Sequence, residues 1–180
     1  MNWDPQHLDF LRSHVWAVLA TGRADGSPQQ SMIGYAIDDD LRLLVSAKSY
    51  TAKWNNAVRQ PKVCLTVPDG RVHLVVYGEV EPIDTDPLRA ELTSQIFGAL
   101  SGNPAPDPAA IVSMLDEQQR VVLRITPTKV LFQEYPGAAI GRRRRGIDTV
   151  GASAPRRRTP HCIRGTGTSP GAGITSRCGT

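Results

Sequence analysis

Six stretches of the chain carry apolar and β-branched residues at high density: "VWAVLAT", "QSMIGYAID", "LRLLVSA", "KVCLTV", "VHLVVYGEVEPI" and "RVVLRITPTKVLFQEY". Each is bounded by turn formers, the Asp-Gly of "RADGSPQ", the "DDD" at 38–40 and the "PDG" at 68–70, so each reads as a strand. Short connections favour antiparallel pairing of neighbours. Pro127 interrupts the last stretch, which is therefore one long strand or two broken ones.

Between the strands the apolar period lengthens to that of a helix. "DPQHLDFLRSH" places Asp4 as a possible N-cap and Pro5 at the first helical position, with Leu8 and Leu11 on one face and Phe10 beside it. Residues 51–59 form a second short helix that ends before Pro61. Residues 87–100 carry Leu88, Leu92, Ile96 and Leu100 at four-residue spacing behind Pro87, an amphipathic helix. "AAIVSMLDE" is a fourth. The pattern predicts a mainly β domain, a small six-stranded antiparallel barrel with short flanking helices. No internal repeat is visible.

Composition changes this picture only at the C-terminus. Residues 1–140 hold 12 Lys and Arg against 16 Asp and Glu, whereas residues 141–180 hold 9 Arg against one acid, Asp148. The basic balance of the whole chain thus belongs to its last 40 residues, and net charge does not mark the body as a nucleic-acid binder. Of those 40 residues, 32 are Gly, Ala, Pro, Arg, Ser or Thr, and none is Leu, Phe, Trp, Tyr or Met. Such a segment cannot bury enough apolar surface to offset its ordering entropy. It is read as a disordered appendage in preference to a phosphate-gripping arm built on Arg142–Arg145 and Arg156–Arg158, because no aromatic residue and no helical period interleave the arginines. A tail translated out of frame is a further reading of the same composition. The expected division is a domain over 1–140 and a tail over 141–180.

Cys64 lies in an apolar strand and Cys162 and Cys178 lie in the tail, which makes neither a disulfide framework nor a metal-ligand spacing. No signal-peptide pattern and no run of membrane-span length occurs, so a soluble cytoplasmic protein is expected. His7, His14 and His73 have no Cys or carboxylate at metal-ligand spacing, and each reads as a surface or core histidine. No metal site is expected. Within residues 1–140 a Gly-x-Ser-x-Gly elbow, a Walker loop and a Gly-x-Gly-x-x-Gly turn are all missing. With no acid, base or nucleophile standing out, the chain either binds something or leaves the chemistry to a cofactor.

The second helix suits a cofactor. Free N–H groups and the positive end of the dipole gather at a helix N-terminus, and Thr51 and Lys53 add a hydroxyl and a cation there, a combination suited to a phosphate. Asn55 and Asn56 would donate amides to the same anion or simply weaken the helix. A solvated Lys on an exposed turn is the competing reading.

Three motifs, "LATGRADGSPQ", "LLVSA" and "TAKWNNAVRQP", in that order and with "RVVLRITPTKVLFQEYPG" as the closing strand, resemble the pyridoxamine phosphate oxidase-like split-barrel family of flavin and deazaflavin proteins. The resemblance covers nearly all of residues 5–138 and none of the tail. It implies an FMN-binding type of split barrel, a homodimer, and a cofactor in a groove at the dimer interface. Carried onto this chain, it implies that Lys53, Asn56 and Thr51 hold the phosphate, while Gln29, Ser31 and the backbone of Val45, Ser46 and Ala47 face the ring. Many relatives place an Arg where Thr51 stands, which leaves part of the phosphate charge uncompensated here.

The FMN oxidases of the family characteristically show an Arg-x-Val-Leu-Leu-Lys run on an early strand. The corresponding "PQQSMIGYAID" has neither Arg nor Lys and looks more like the branch that uses the deazaflavin coenzyme F420. The Arg and His constellation that grips pyridoxamine phosphate is not found either. The resemblance therefore implies an oxidoreductase in which reduced F420 passes a hydride to a small conjugated or unsaturated acceptor, with no catalytic side chain of the protein's own. The alternatives are an FMN-dependent oxidase or reductase of the same fold and a carrier that binds the cofactor without turnover. Lys48 and Arg59 are candidates to meet the polyglutamate tail of F420, or are simply solvated. Trp16, Trp54 and Tyr77 are equally readable as pocket, core or interface.

Overall fold

The structure is a computed structural model that describes residues 3–135; the Arg-rich tail lies outside the described residues. The elements follow one another as α1 (Pro5–Ser13), β1 (Trp16–Gly22), β2 (Pro28–Gly34), β3 (Ala36–Ile37), β4 (Leu43–Lys48), α2 (Ala52–Arg59), β5 (Lys62–Asp69), β6 (Val72–Ile83), α3 (Leu88–Ser101), α4 (Pro108–Glu117) and β7 (Arg120–Glu134). All strand pairs are antiparallel, in one sheet of order β2-β1-β5-β6-β7-β4-β3.

That order forces the sheet to curl. Its two edge strands, β2 and β3, are consecutive in the chain and separated by Tyr35 alone. Laid flat, seven strands would hold their edges about 29 Å apart, whereas Gly34 and Ala36 can be no more than about 7 Å apart. The edges must therefore meet. The stretch expected to be one strand, "QSMIGYAID", serves as two: its first part pairs with β1 and its last residues with β4. This is why seven strands are present where six are expected, and why "LRLLVSA" pairs mainly with β7. Pro127 does not break β7, because a bulge opposite Tyr77 and Gly78 absorbs the irregularity.

Inward positions alternate along the strands, and Ala17, Leu19, Ile33, Val45, Leu65, Leu74, Val76, Leu123 and Ile125 form one core with Leu11 of α1. Asp4 caps α1 by accepting from the Gln6 N–H at 2.8 Å, and the buried Tyr35 hydroxyl donates to the Leu11 carbonyl at 2.7 Å. The strand linking the two sheet edges is thus tied to the first helix. Outside the sheet, α3 lays Leu92 and Ile96 over Ala36, Leu44 and Val122, the stripe read from its four-residue spacing. At the start of α3, the 8%-exposed Arg89 donates to Asp86 at 2.6 Å and to Asp116 of α4 at 2.6 Å. The guanidinium holds the Asp86 carboxyl below its ordinary range.

Removing Arg89 would leave two carboxylates facing each other between the helices. Arg89→Ala is expected to lower stability by about 1 to 3 kcal/mol, less than for a fully buried pair because both acids reach solvent, as measured by urea unfolding of the full chain. The contribution of Asp86, whose folded-state pKa is depressed, is present above the ordinary carboxylate range and lost as pH falls through the lower folded value. Wild type and Arg89→Ala should therefore converge in stability on acidification.

Candidate functional site

Helix α2 begins with Thr51 as N-cap, in extended backbone conformation. The Thr51 hydroxyl turns away from the helix and donates to the Lys48 carbonyl at 2.7 Å. No side chain caps the helix, and among the described residues the backbone N–H groups of Ala52 and Lys53 have no acceptor in the chain. Lys53, half-buried in this first turn, pairs with no carboxylate among the described residues. Two open donors, the positive end of a helix and a cation without a carboxylate partner thus belong to one helical turn, a combination that suits a phosphate.

Asn56 lies elsewhere in the geometry. It is 6% exposed, its Nδ2 donates to Thr21 Oγ1 of β1 at 3.1 Å, and its Oδ1 accepts from Arg59 at 3.2 Å. Both ends of the amide are engaged inside the chain, so Asn56 acts as a tie between α2 and β1. Arg59 also donates to the Gly22 carbonyl at 2.6 Å and fastens the C-terminal end of α2 to the same strand. Asn55 is exposed, and Trp54 packs into the main core.

Gln29 and Ser31 stand on β2 with half-buried side chains. Gln29 Oε1 accepts from Thr21 Oγ1 at 3.0 Å, and its Nε2 donates to Ser31 Oγ at 2.8 Å and to the Gln30 carbonyl at 2.9 Å. Val45 and Ala47 bury their side chains in the core, and the Ser46 hydroxyl accepts from Arg120 at 3.2 Å. One edge of β4 is fully paired with β7, but the other meets β3 only at Leu43 and Leu44. From Val45 to Lys48 that edge has no strand partner among the described residues, and neither does the edge of β2 that faces away from β1. Helix α2 packs against β1, β2, β4 and β6. The predicted ring-facing residues thus flank the split between two partnerless edges, and the predicted phosphate residues begin the helix that packs on both strands.

Thr21, Arg59 and Arg120 carry contacts that sequence reasoning did not assign. Thr21 had a legible signal: it continues the inward set of Ala17 and Leu19, so a hydroxyl there needs a buried partner. Arg120 had none, because its partner Ser46 is 74 residues away and is brought close only by the β4–β7 pairing. Neither of the two marked hollows is lined by Thr51 or Lys53. One of about 440 Å³ lies between Leu11, His14, Tyr35 and Asp38, and a shallower one of about 310 Å³ lies between Thr21, Gln60, Cys64 and Tyr77. Burial pushes the Cys64 thiol up, keeping it neutral, and no group of three His, Cys, Asp or Glu is arranged for a metal among the described residues. No described helix is long and apolar enough to cross a membrane.

Residues 3–134 match the family described as pyridoxamine 5'-phosphate oxidase. A conserved hypothetical protein from Mycobacterium tuberculosis shares the fold, with 22% identity over 74% of this chain and 86% of that one at a TM-score of 0.63. A structure described as an F420 reductase is 27% identical over 65% of this chain and 89% of that one, at a TM-score of 0.50. A pyridoxamine 5'-phosphate oxidase-related, FMN-binding protein from Nostoc punctiforme is 20% identical over 76% and 87%, at a TM-score of 0.52. No curated protein matches the chain.

Because Asn56 is engaged within the chain, its loss should be felt without any ligand. Asn56→Ala is expected to cost about 1 to 3 kcal/mol, the scale for unpairing buried polar partners, in urea unfolding of the ligand-free protein.

Proposed function

The chain belongs to the pyridoxamine 5'-phosphate oxidase family, and on that premise we propose that it is an oxidoreductase that binds coenzyme F420 and passes a hydride to a small conjugated or unsaturated acceptor. The observation that carries this reading is the start of α2, where the unpaired Lys53 and the open N–H groups of Ala52 and Lys53 form an anion site. When bound, the deazaflavin ring supplies the hydride chemistry, which agrees with the scarcity of acid, base and nucleophile candidates. Lys53 and the two amides bind the phosphate, with Thr51 shaping the turn. Ser31, Gln29 and the β4 edge from Val45 to Ala47 orient the ring. Asn56 holds α2 in place and contributes to binding at one remove.

F420 is favoured over FMN by the 27%-identical F420 reductase and by the absence of Arg and Lys from "PQQSMIGYAID". FMN carries a phosphate that the same anion site would accept, so an FMN-dependent oxidoreductase of this fold is the second reading.

A homodimer is part of the proposal. On the outer face of the sheet, Met32, Val18, Thr66, Val75 and Leu131 are register partners in one row across five strands. Trp16 and Tyr77 flank the row, and Trp16 and Met32 are 60% and 65% exposed. Helix α3 covers the outer face over β3 and β4 and leaves this apolar row open. A second copy seated there would bury the row.

Titration of the full chain with F420 and separately with FMN, followed by the fluorescence of Trp54 beside Lys53, tests the cofactor. Tighter binding of F420 is expected, and failure to bind either would overturn the reading. Lys53→Ala should weaken binding by about 1 to 3 kcal/mol, the scale of a charge-assisted contact. In sedimentation velocity the wild type should run as a dimer and Leu131→Arg as a folded monomer with weakened cofactor binding.

A further inference from the structure

The hydrogen bonds between α2, β1 and β2 form one continuous chain whose direction is set from one end. Arg59 is a guanidinium, with donors and no acceptor, so the group of Asn56 that faces it must be the carbonyl oxygen, at 3.2 Å. Asn56 Nδ2 then faces Thr21 Oγ1 at 3.1 Å and donates to it. With that lone pair taken, the single Thr21 proton goes to Gln29 Oε1 at 3.0 Å. Gln29 is left with its amide nitrogen outward, donating to Ser31 Oγ at 2.8 Å and to the Gln30 carbonyl at 2.9 Å. The Ser31 oxygen is an acceptor within the chain, and its own proton has no acceptor among the described residues.

The reverse polarity is penalised. Were the Gln29 amide turned over, Thr21, 3% exposed, would face two amide nitrogens and keep a proton with no acceptor, while the exposed Gln30 carbonyl would turn to water. Each buried group left unpaired costs about 1 to 3 kcal/mol. The cation at the end of α2 thus determines, four hydrogen bonds away, which partner the Ser31 hydroxyl can serve.

We propose that Thr21 is a positioning residue, the central member of a relay from Arg59 through Asn56 and Gln29 that holds Ser31 as a hydrogen-bond donor toward the bound ring. The inference rests on the proposed function, in which β2 faces that ring, and adds the chemistry of the contact. Ser31 meets an acceptor oxygen or nitrogen of the ring, and a neutral donor there favours whichever ring state carries more negative charge. Thr21 does this without touching the ligand.

The test is a double-variant cycle on the full chain. Thr21→Val keeps the side-chain shape and breaks the relay; Ser31→Ala removes its last hydroxyl. Each is expected to weaken binding of F420, or of FMN if that is the ligand, by roughly two- to tenfold, the equivalent of one net hydrogen bond. The two are expected to shift the absorption band of the bound ring in the same direction. The double variant should bind no worse than either single one, and Thr21→Ser, which restores the hydroxyl, should restore both binding and band position. Additive losses, or a Thr21→Val protein with the wild-type ring spectrum, would overturn the proposal. Should Thr21→Val fail to fold, Thr21→Ala removes the same hydroxyl without adding a methyl in its place and takes its place in the cycle.

A readout on the ligand-free protein separates this proposal from the functional one. The side-chain amide signals of Asn56 and Gln29 in nitrogen-edited NMR should both move in Thr21→Val and return in Thr21→Ser. If the wild type binds neither F420 nor FMN, the functional reading fails and with it the ring contact, while these amide signals still decide the relay. Unmoved signals would sink the relay even if a cofactor binds.

Discussion

One residue, Tyr35, separates the two edges of a seven-stranded sheet, and most of the architecture follows from that tether. A chain that finishes β2 on one edge and starts β3 on the other leaves the sheet no choice but to curl until its edges adjoin. Curling creates an interior, which the inward residues of β1, β4, β5, β6 and β7 fill. It also leaves the closure incomplete. Strand β3 is two residues long and pairs with β4 only at Leu43 and Leu44, so beyond them one edge each of β4 and β2 has no strand partner among the described residues. The Tyr35 hydroxyl, bonded to the Leu11 carbonyl, fastens the crossing point to α1.

The split and the helix that packs on both of its strands divide the polar work between them. Helix α2 is held at its C-terminal end by Arg59 on the Gly22 carbonyl and at its middle by Asn56 on Thr21. Among the described residues no side chain caps its N-terminal end, and the N–H groups of Ala52 and Lys53 there have no acceptor. Two arginines illustrate how differently one residue type is used. Arg89 is neutralised by Asp86 and Asp116 and joins α3 to α4, a structural contact made of matched charges. Arg59 has no carboxylate among the described residues and donates only to neutral oxygens, so its charge orients dipoles without being cancelled.

The outer face of the sheet shows a similar division. Where α3 lies over it, the outward residues Ala36, Leu44 and Val122 are buried. Elsewhere the outward row from Met32 to Leu131 remains apolar and uncovered, even though a solvated face of an antiparallel sheet ordinarily carries polar residues. The proposed homodimer gives that row a partner.

Much of this was legible in the sequence alone, because it depends on local periodicity and on spacing along the chain. The cap Asp4, the stripe Leu88, Leu92, Ile96 and Leu100, and the strand alternation that places Thr21 with Ala17 and Leu19 are all properties of neighbours within a turn or a strand. Lys53 in the first turn of α2 belongs with them, and with the motif order it pointed to the family. The switch of "QSMIGYAID" from one sheet edge to the other was not legible, since each half satisfies the same alternation and only the pairing of distant strands decides where it divides. Nor was the engagement of Asn56: its partners Thr21 and Arg59 lie 35 and 3 residues away, and the choice between an amide offered to a ligand and one spent inside the fold depends on how α2 packs on β1. Residue type and spacing determined what each segment could become, and tertiary packing decided which polar groups are consumed within the chain and which remain open.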